Sequence, residues 1–509
     1  MDYTLREQPL FTRNEILSTS TQQPVDLDFT LPDYCADIES ILKCSMSVKI
    51  FTHSLSAGEL RVEGAAIIRI LYTDKDKKAL RCYEQNHPFA TSIPVAGEVG
   101  EHIIDITPKP EYINCRALTP RRLSVHGAFS LSVKIVSREL ESLYSLENPC
   151  DLQAKEETVE LSELKLFSQD RINISDVVSF KARKPIETIV RTDLSANLND
   201  HSHNGDKVTL SGELTLRILY ISDASTGEVD QYICVYPFKE TIRTAAENCD
   251  LTHVNLSIST YEVSLKSEVM SEEPLIHLEA TVLADVFGFA NREAEYISDA
   301  YSVDYDTENE YSTLKLQKNV TPINLSVIEK QSLSLGEKQI QKIIDILIET
   351  PSISGVFNEN ILDISGKIDV SILALTMDEE LILIDRQVNV SHSHEFPKAF
   401  SHIDALCCNV NSLSYRLGEN ADIELRFELC YKALLWNDVS IREIKCVNKL
   451  SENKKEKDKT PLILYYAGAG EKIWDISKRY NTCISTLREE NSLTCEELPE
   501  DKMLMIFTS

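Results

Sequence analysis

The chain has 509 residues, 42% hydrophobic and 26% charged, a balance that fits a folded multidomain protein and excludes a disordered or membrane-embedded one. Its formal charge of -29 would repel phosphate backbones and anionic lipid surfaces, so no nucleic-acid partner is expected and the partners should be proteins or uncharged polymers. Its 13 cysteines form no CxxC pair and include the neighbours Cys407-Cys408, which points to reduced thiols rather than a disulfide framework or a zinc ribbon.

Met1 to Glu7 lack a basic stretch followed by an apolar core, and no apolar run reaches transmembrane length, so neither a secretory signal nor a transmembrane segment is expected. A cytoplasmic location follows from that reading. Further along, Arg69-Ile70-Leu71-Tyr72 returns unchanged as Arg217-Ile218-Leu219-Tyr220, a spacing of 217 minus 69, or 148 residues. The same shift carries Ile38-Glu39-Ser40-Ile41-Leu42-Lys43 onto Ile186-Glu187-Thr188-Ile189-Val190-Arg191. A further shift of 154 lands Ile186, Ile189 and Val190 on Ile340, Ile343 and Ile344, and Gly212 on Gly366. A period this long is a domain length, because about 100 to 150 residues can bury their own core.

Within a copy, short apolar runs alternate with turn chemistry around Gly58 and at Asp74 to Lys78, which predicts a meander of antiparallel strands. The second copy turns at Ser222 to Gly227. Another strand pair follows, Tyr112 to Leu118 and Leu123 to Val136, broken at Thr119-Pro120. The expected fold class is therefore multidomain: three β-rich, β-sandwich-like tandem repeats over 26–140, 170–295 and 325–446, plus a small α+β tail over 461–509. Residues 1–25 read as an N-terminal extension, 447–460 as a charged linker, and the polar stretches Ala154 to Glu163 and Asp304 to Glu310 as solvated linkers. Asp304-Tyr305-Asp306-Thr307-Glu308 starts like a calcium loop, but Asn309 replaces its glycine and Lys315 its bidentate glutamate.

An Ile-Glu-x-Ile block ahead of a Gly-containing strand ending in Ile-Leu-Tyr resembles the SPOCS domains of endospore-coat proteins. The resemblance covers roughly residues 26 to 446, and the third copy departs from it with Ala374 in place of the tyrosine.

After the apolar-free run Ser451 to Thr460, the tail reads β-α-α-β: a strand at Leu462 to Ala467, a turn at Gly470, helical runs to Tyr480 and from Ile484 to Glu490, and a strand at Met503 to Phe507. Tyr465, Gly470, Ile473-Trp474-x-Ile476, Tyr480, Leu487, Asn491, Leu493, Leu504 and Ile506 stand as they do in LysM domains. Such domains usually bind N-acetylglucosamine polymers through two loops, which map here onto Gly470, Glu471 and Lys472 and onto Asn491, Ser492 and Leu493. Both are degenerate: the usual Gly-Asp-Thr is Gly470-Glu471-Lys472, and the late glycine of the final turn is Asp501.

SPOCS-like repeats followed by one LysM domain are similar to a family of coat-morphogenesis proteins of spore-forming clostridia. That resemblance implies a mother-cell protein at the outer forespore surface, binding the coat-basement ATPase SpoIVA through its LysM domain, with other coat proteins as further partners. On the residues themselves, Ile473, Ile476, Ser477 and Tyr480 share one helical face and should point inward, which leaves Trp474 and Lys478 side by side on the next stripe. Trp474 has two readings, an interface anchor and a residue completing a very small core. Ile463 and Tyr466 join Trp474 and Lys478 as candidate partner-binding residues, because a strand alternates faces and some of its large apolar groups must face outward.

His201-Ser202-His203 and His392-Ser393-His394 lack the companions of a metal site, Gly366-Lys367 lacks a P-loop's upstream glycine, and no G-x-S-x-G or H-E-x-x-H occurs. No catalytic residue, metal or cofactor is assigned. The sequence reads as a non-enzymatic adaptor, with a peptidoglycan-binding wall protein and a cryptic cell-wall hydrolase as rivals.

Overall fold

The computed structural model describes residues 3–74, 79–97, 99–146, 152–179, 184, 186–223, 228–245, 248–266, 275–336, 339–349, 351–418, 422–451, 454–455 and 462–507. Most of the turns expected at Asp74 to Lys78 and Ser222 to Gly227, and residues 452–453 and 456–460 of the charged linker, lie outside the described residues.

The first unit contains β1 (Leu5–Thr30), β2 (Ser40–Ser56), β3 (Glu59–Thr73), β4 (Leu80–Pro94), β5 (His102–Ala117) and β6 (Arg122–Leu146). They form two antiparallel sheets, ordered β2-β3-β4 and β1-β6-β5. Period-two alternation sends Val62, Ile68, Ile70 and Tyr72 from one sheet and Val25, Phe129, Leu131 and Val133 from the other into a common core. Ala57 and Gly58, both at positive φ (50° and 78°), turn β2 into β3 as a two-residue hairpin whose twist matches its strands.

The plan recurs in β7 (Leu152–Ser179), β8 (Thr188–Asn204), β9 (Lys207–Asp223), β10 (Glu228–Arg243), β11 (Leu251–Lys266) and β12 (Leu275–Ser302), with sheets β8-β9-β10 and β7-β12-β11 around one core. The third unit uses β13 (Thr307–Ser334), β14 (Ile340–Ile348), β15 (Ser352–Asn358), β16 (Ile361–Thr376), β17 (Leu381–Glu395), β18 (His402–Leu417) and β19 (Asp422–Lys449). Here β14 and β15 pair with successive halves of β16, in the place that β2 and β8 fill as single strands. Pro351, which has no N–H for the ladder, sits at the break.

The repeated sequence block explains how the units meet. Ile70, Ile218 and Ile372 point into the three sandwich cores, while their neighbours Leu71, Leu219 and Leu373 point out and pack together in one cluster. Leu42, Val190 and Ile344 join that cluster, as do Leu80, Val229 and Leu381, so each unit contributes the same positions to a three-way contact. The far ends of the long antiparallel strand pairs β1/β6, β7/β12 and β13/β19 do likewise: Leu10 and Leu143, Val159 and Tyr296, and Leu314 and Ile441 share a second cluster.

That packing corrects three sequence expectations. Residues 5–25, expected as part of an extension, are most of β1 and pair along β6, with Leu10 and Val25 buried. The stretch Ala154 to Glu163, expected as a solvated linker, lies within β7, and its sparse apolar residues Val159 and Leu161 alternate into the three-way cluster. Thr307 to Glu310, expected in the second linker, open β13. The acidic turn before it meets the described part of the charged linker: Lys454 Nζ donates to Asp304 Oδ2 (2.7 Å) and Lys455 N to the Asp304 carbonyl (2.8 Å). Alternating charges read as solvated because only the neighbouring units supply the apolar face that covers the residues between them.

Candidate partner-binding surface of the C-terminal module

The tail pairs β20 (Leu462–Ala467) with β21 (Lys502–Phe507) antiparallel, and carries α1 (Ile473–Arg479) and α2 (Ile484–Asn491) between them. Ala467, Ile473, Ile476, Leu487, Leu493, Leu498, Leu504 and Ile506 form a separate small core. Ser477 is buried and Tyr480 packs against this core, as the helical spacing of Ile473, Ile476, Ser477 and Tyr480 predicts.

Most of the glycan-loop positions serve the module itself, while the Lys472 and Ser492 side chains are exposed. Gly470, at φ +86°, makes the turn after β20 and its N–H donates to the Leu498 carbonyl. Glu471 accepts from the Gly468 N–H (2.9 Å) and the Tyr465 hydroxyl (2.8 Å), and these two bonds hold its carboxyl below the usual carboxylate range. Lys472 forms an isolated bridge with Glu497. Asn491 is buried and its amide is saturated: Nδ2 donates to the carbonyls of Leu487 (3.0 Å) and Met505 (2.8 Å), while Oδ1 accepts from Met505 N (2.7 Å). Ser492 takes the left-handed conformation that ends α2, and Leu493 is part of the core. Asn491 and Leu493 thus hold the fold together.

The four candidate partner residues separate. Ile463 points inward with Tyr465, against the module's core, which corrects its assignment to a surface. Tyr466 faces out, 65% exposed, on the opposite side of the sheet from the helices, beside its cross-strand partner Met503 and near the exposed Leu464 and Met505. Trp474 and Lys478 stay together on α1, and neither completes the tail's core nor lies free. Trp474 Nε1–H donates to Asp299 Oδ2 (2.9 Å), and Lys478 Nζ donates to both carboxylate oxygens (2.7 Å each). Asp299 stands near the end of β12, so α1 is seated on the second two-sheet unit.

Tyr301, two residues on, packs edge-on against the Trp474 ring, with centroids 5.2 Å apart, and its hydroxyl donates to the Thr482 carbonyl (2.7 Å). Gln153 Oε1 accepts from the Ile484 N–H (3.3 Å), and Lys455 Nζ donates to Asn481 Oδ1 (2.7 Å). Burial alone would raise the Asp299 pKa, but Lys478 and Trp474 outweigh it and hold the carboxyl below its ordinary value. Sequence reading missed Asp299, Tyr301 and Gln153. The available signal was a difference between copies: Ile297 and Ala300 of the second unit and Ile444 and Val447 of the third share a cluster, and by the same offset of 147 residues (444 minus 297) Cys446 and Asn448 correspond to Asp299 and Tyr301.

The paired histidines serve the body. His201 Nε2 bonds the Thr252 carbonyl (2.9 Å), and His392 stacks on Tyr431. Among the described residues, no group of three or more His, Cys, Asp or Glu side chains is placed to hold a metal, and no helix is long and apolar enough to cross a membrane.

Fold and site together define a protein of antiparallel sheets with a small α/β module seated at one end. Residues 37–118, which run from just before β2 to just after β5, match the family model described as SipL, SPOCS domain, and this match points to a sporulation-related coat protein. Comparison with curated proteins and with solved structures finds no match.

Proposed function

We propose that the chain is a non-enzymatic adaptor of endospore-coat assembly, built from three SPOCS-like repeats and a LysM-type tail that docks the coat-basement ATPase SpoIVA at the outer forespore surface. The observation that carries this reading is the family match over 37–118, which falls on the strands β2 to β5 whose plan recurs in the other two units. The tail's chemistry supports a protein partner over peptidoglycan: of its glycan-loop positions, Glu471, Asn491 and Leu493 are spent on internal bonds and core packing, whereas Trp474 and Lys478 already grip a protein carboxylate and ring. Other coat proteins are served by the surfaces of the repeats.

The reading is tested in sporulating cells. A fluorescently tagged full chain should encircle the forespore, and the same chain ending at Ser451 should disperse through the mother cell. Unchanged encirclement by the truncated chain would refute tail-mediated docking.

A further inference from the structure

The junction between tail and body has the composition of a latch. Among the described residues the tail's core shares no buried cluster with the body, and the contacts between them are a carboxylate clamp, one edge-on ring pair and a few hydrogen bonds. The Asp299–Lys478 pair is partly exposed, and ion pairs of this kind are individually weak and exchange readily with water, while the Tyr301–Thr482 bond beside it is buried. The seat itself is specific. One carboxylate satisfies an indole N–H and an ammonium together, a phenol ring lies against the indole, and a backbone carbonyl takes the phenol hydroxyl. Asp299 also accepts from the Tyr311 hydroxyl of the third unit (3.3 Å), so the carboxylate is held in place by the body and the tail comes to it.

We propose that the Trp474–Lys478 face is a receptor for a protein segment carrying a carboxylate two residues ahead of a tyrosine, that Asp299 and Tyr301 fill it in the closed chain, and that a partner must displace them. The inference rests on the reading of the tail as the partner-docking module. It adds the chemistry the partner presents and a competition that couples docking to release from the body. The third unit offers Cys446 and Asn448 at the corresponding places, neither of which supplies a carboxylate or a ring, so the second unit alone among these two can hold the latch. If the closed form outweighs the open one about tenfold, it lowers apparent partner affinity about tenfold, and opening the latch restores it.

Three measurements on the full chain test this. In hydrogen exchange, Asp299→Ala/Tyr301→Ala should speed exchange over Ile473–Arg479 relative to the unaltered chain; equal protection would overturn the latch. A synthetic peptide of residues 295–303 should bind the double variant, and adding Trp474→Ala should abolish that binding; a peptide that binds both variants equally, or neither, overturns the receptor. Purified SpoIVA should bind the double variant about tenfold more tightly than the unaltered chain and should displace the peptide. SpoIVA binding unchanged by the double variant, with no displacement, overturns the inference while the adaptor reading stands. SpoIVA binding to no form of the chain overturns the adaptor reading and the inference with it. Because Tyr301→Ala removes a buried ring, the charge exchange Asp299→Lys/Lys478→Glu gives a second route: each single change should open the latch and the pair should close it.

Discussion

Asp404→Ala should destabilise the protein by about 3–5 kcal/mol in urea unfolding, the cost expected when a buried charge loses its partner. Asp404, in the third unit, meets two cations of the first unit, Arg13 and Lys134, and all but 5% of the Arg13 side chain is buried. The Arg13 guanidinium also lies over the rings of Phe287 in the second unit (5.7 Å) and Trp436 in the third (5.4 Å), so one residue touches all three units. Removing the carboxylate takes the counter-ion from the buried Arg13 guanidinium, while Lys134 keeps Glu15 (2.9 Å); Arg13→Ala leaves Asp404 still paired with Lys134 and should cost less. Burial opposes the Asp404 charge, but Arg13 and Lys134 prevail and hold its pKa below the ordinary carboxylate value. The folded-state pKa is depressed, so this contribution is present above the ordinary value of about 4 and is lost as pH falls through the lower, folded one. A change under about 1 kcal/mol for Asp404→Ala would show that the three units are not stitched at this point.

The second large effect is expected at Gly212. A Cβ there would meet the Asn197 carbonyl of the neighbouring strand and would lie 2.6 Å from Phe238 Cζ. Gly64 repeats the arrangement with the Lys49 carbonyl and the Phe89 ring, and Gly366 with the Ser352 carbonyl and Ile353 Cγ2 (2.7 Å). In each case the strand is bare where the neighbouring chain crosses it, and in the first two units an aromatic ring covers the bare backbone. Gly212→Val should therefore cost about 3 kcal/mol or more, because part of the clash is with backbone that cannot move aside as a side chain can. Combining it with Phe238→Leu should recover only part of the loss, since the Asn197 carbonyl remains in the way. Full recovery would locate the constraint in the ring alone.

These two sites mark how far the sequence could be read. Gly212 and Gly366 were legible as one repeated position, and the alternation through Ile70, Leu71 and Tyr72 placed residues on two sides of a strand. What the alternation could not supply was the purpose of the outward side: Leu71, Leu219 and Leu373 gain their burial only from one another, and no single copy contains that contact. Val159 and Leu161 stood among glutamates and looked solvated for the same reason. Arg13 lay in a segment read as an extension and found its partner 391 residues away. In the tail, helical periodicity sorted the buried from the outward residues of α1, and it put Trp474 beside Lys478. Strand parity in β20 was open until its pairing with β21 turned Ile463 in and Tyr466 out. The occupant of the Trp474 face was missed, because hydrogen bonds to a distant carboxylate leave no local pattern and only the difference between the second and third copies at Asp299 and Tyr301 pointed to it.

The adaptor account stands or falls on what the intact chain retains. The full-length protein, immobilised and presented with purified SpoIVA in one arm and with purified peptidoglycan in the other, should hold SpoIVA and leave peptidoglycan in solution, and Trp474→Ala should release the ATPase. Retention of peptidoglycan without SpoIVA would contradict the account and make the protein a wall-binding factor.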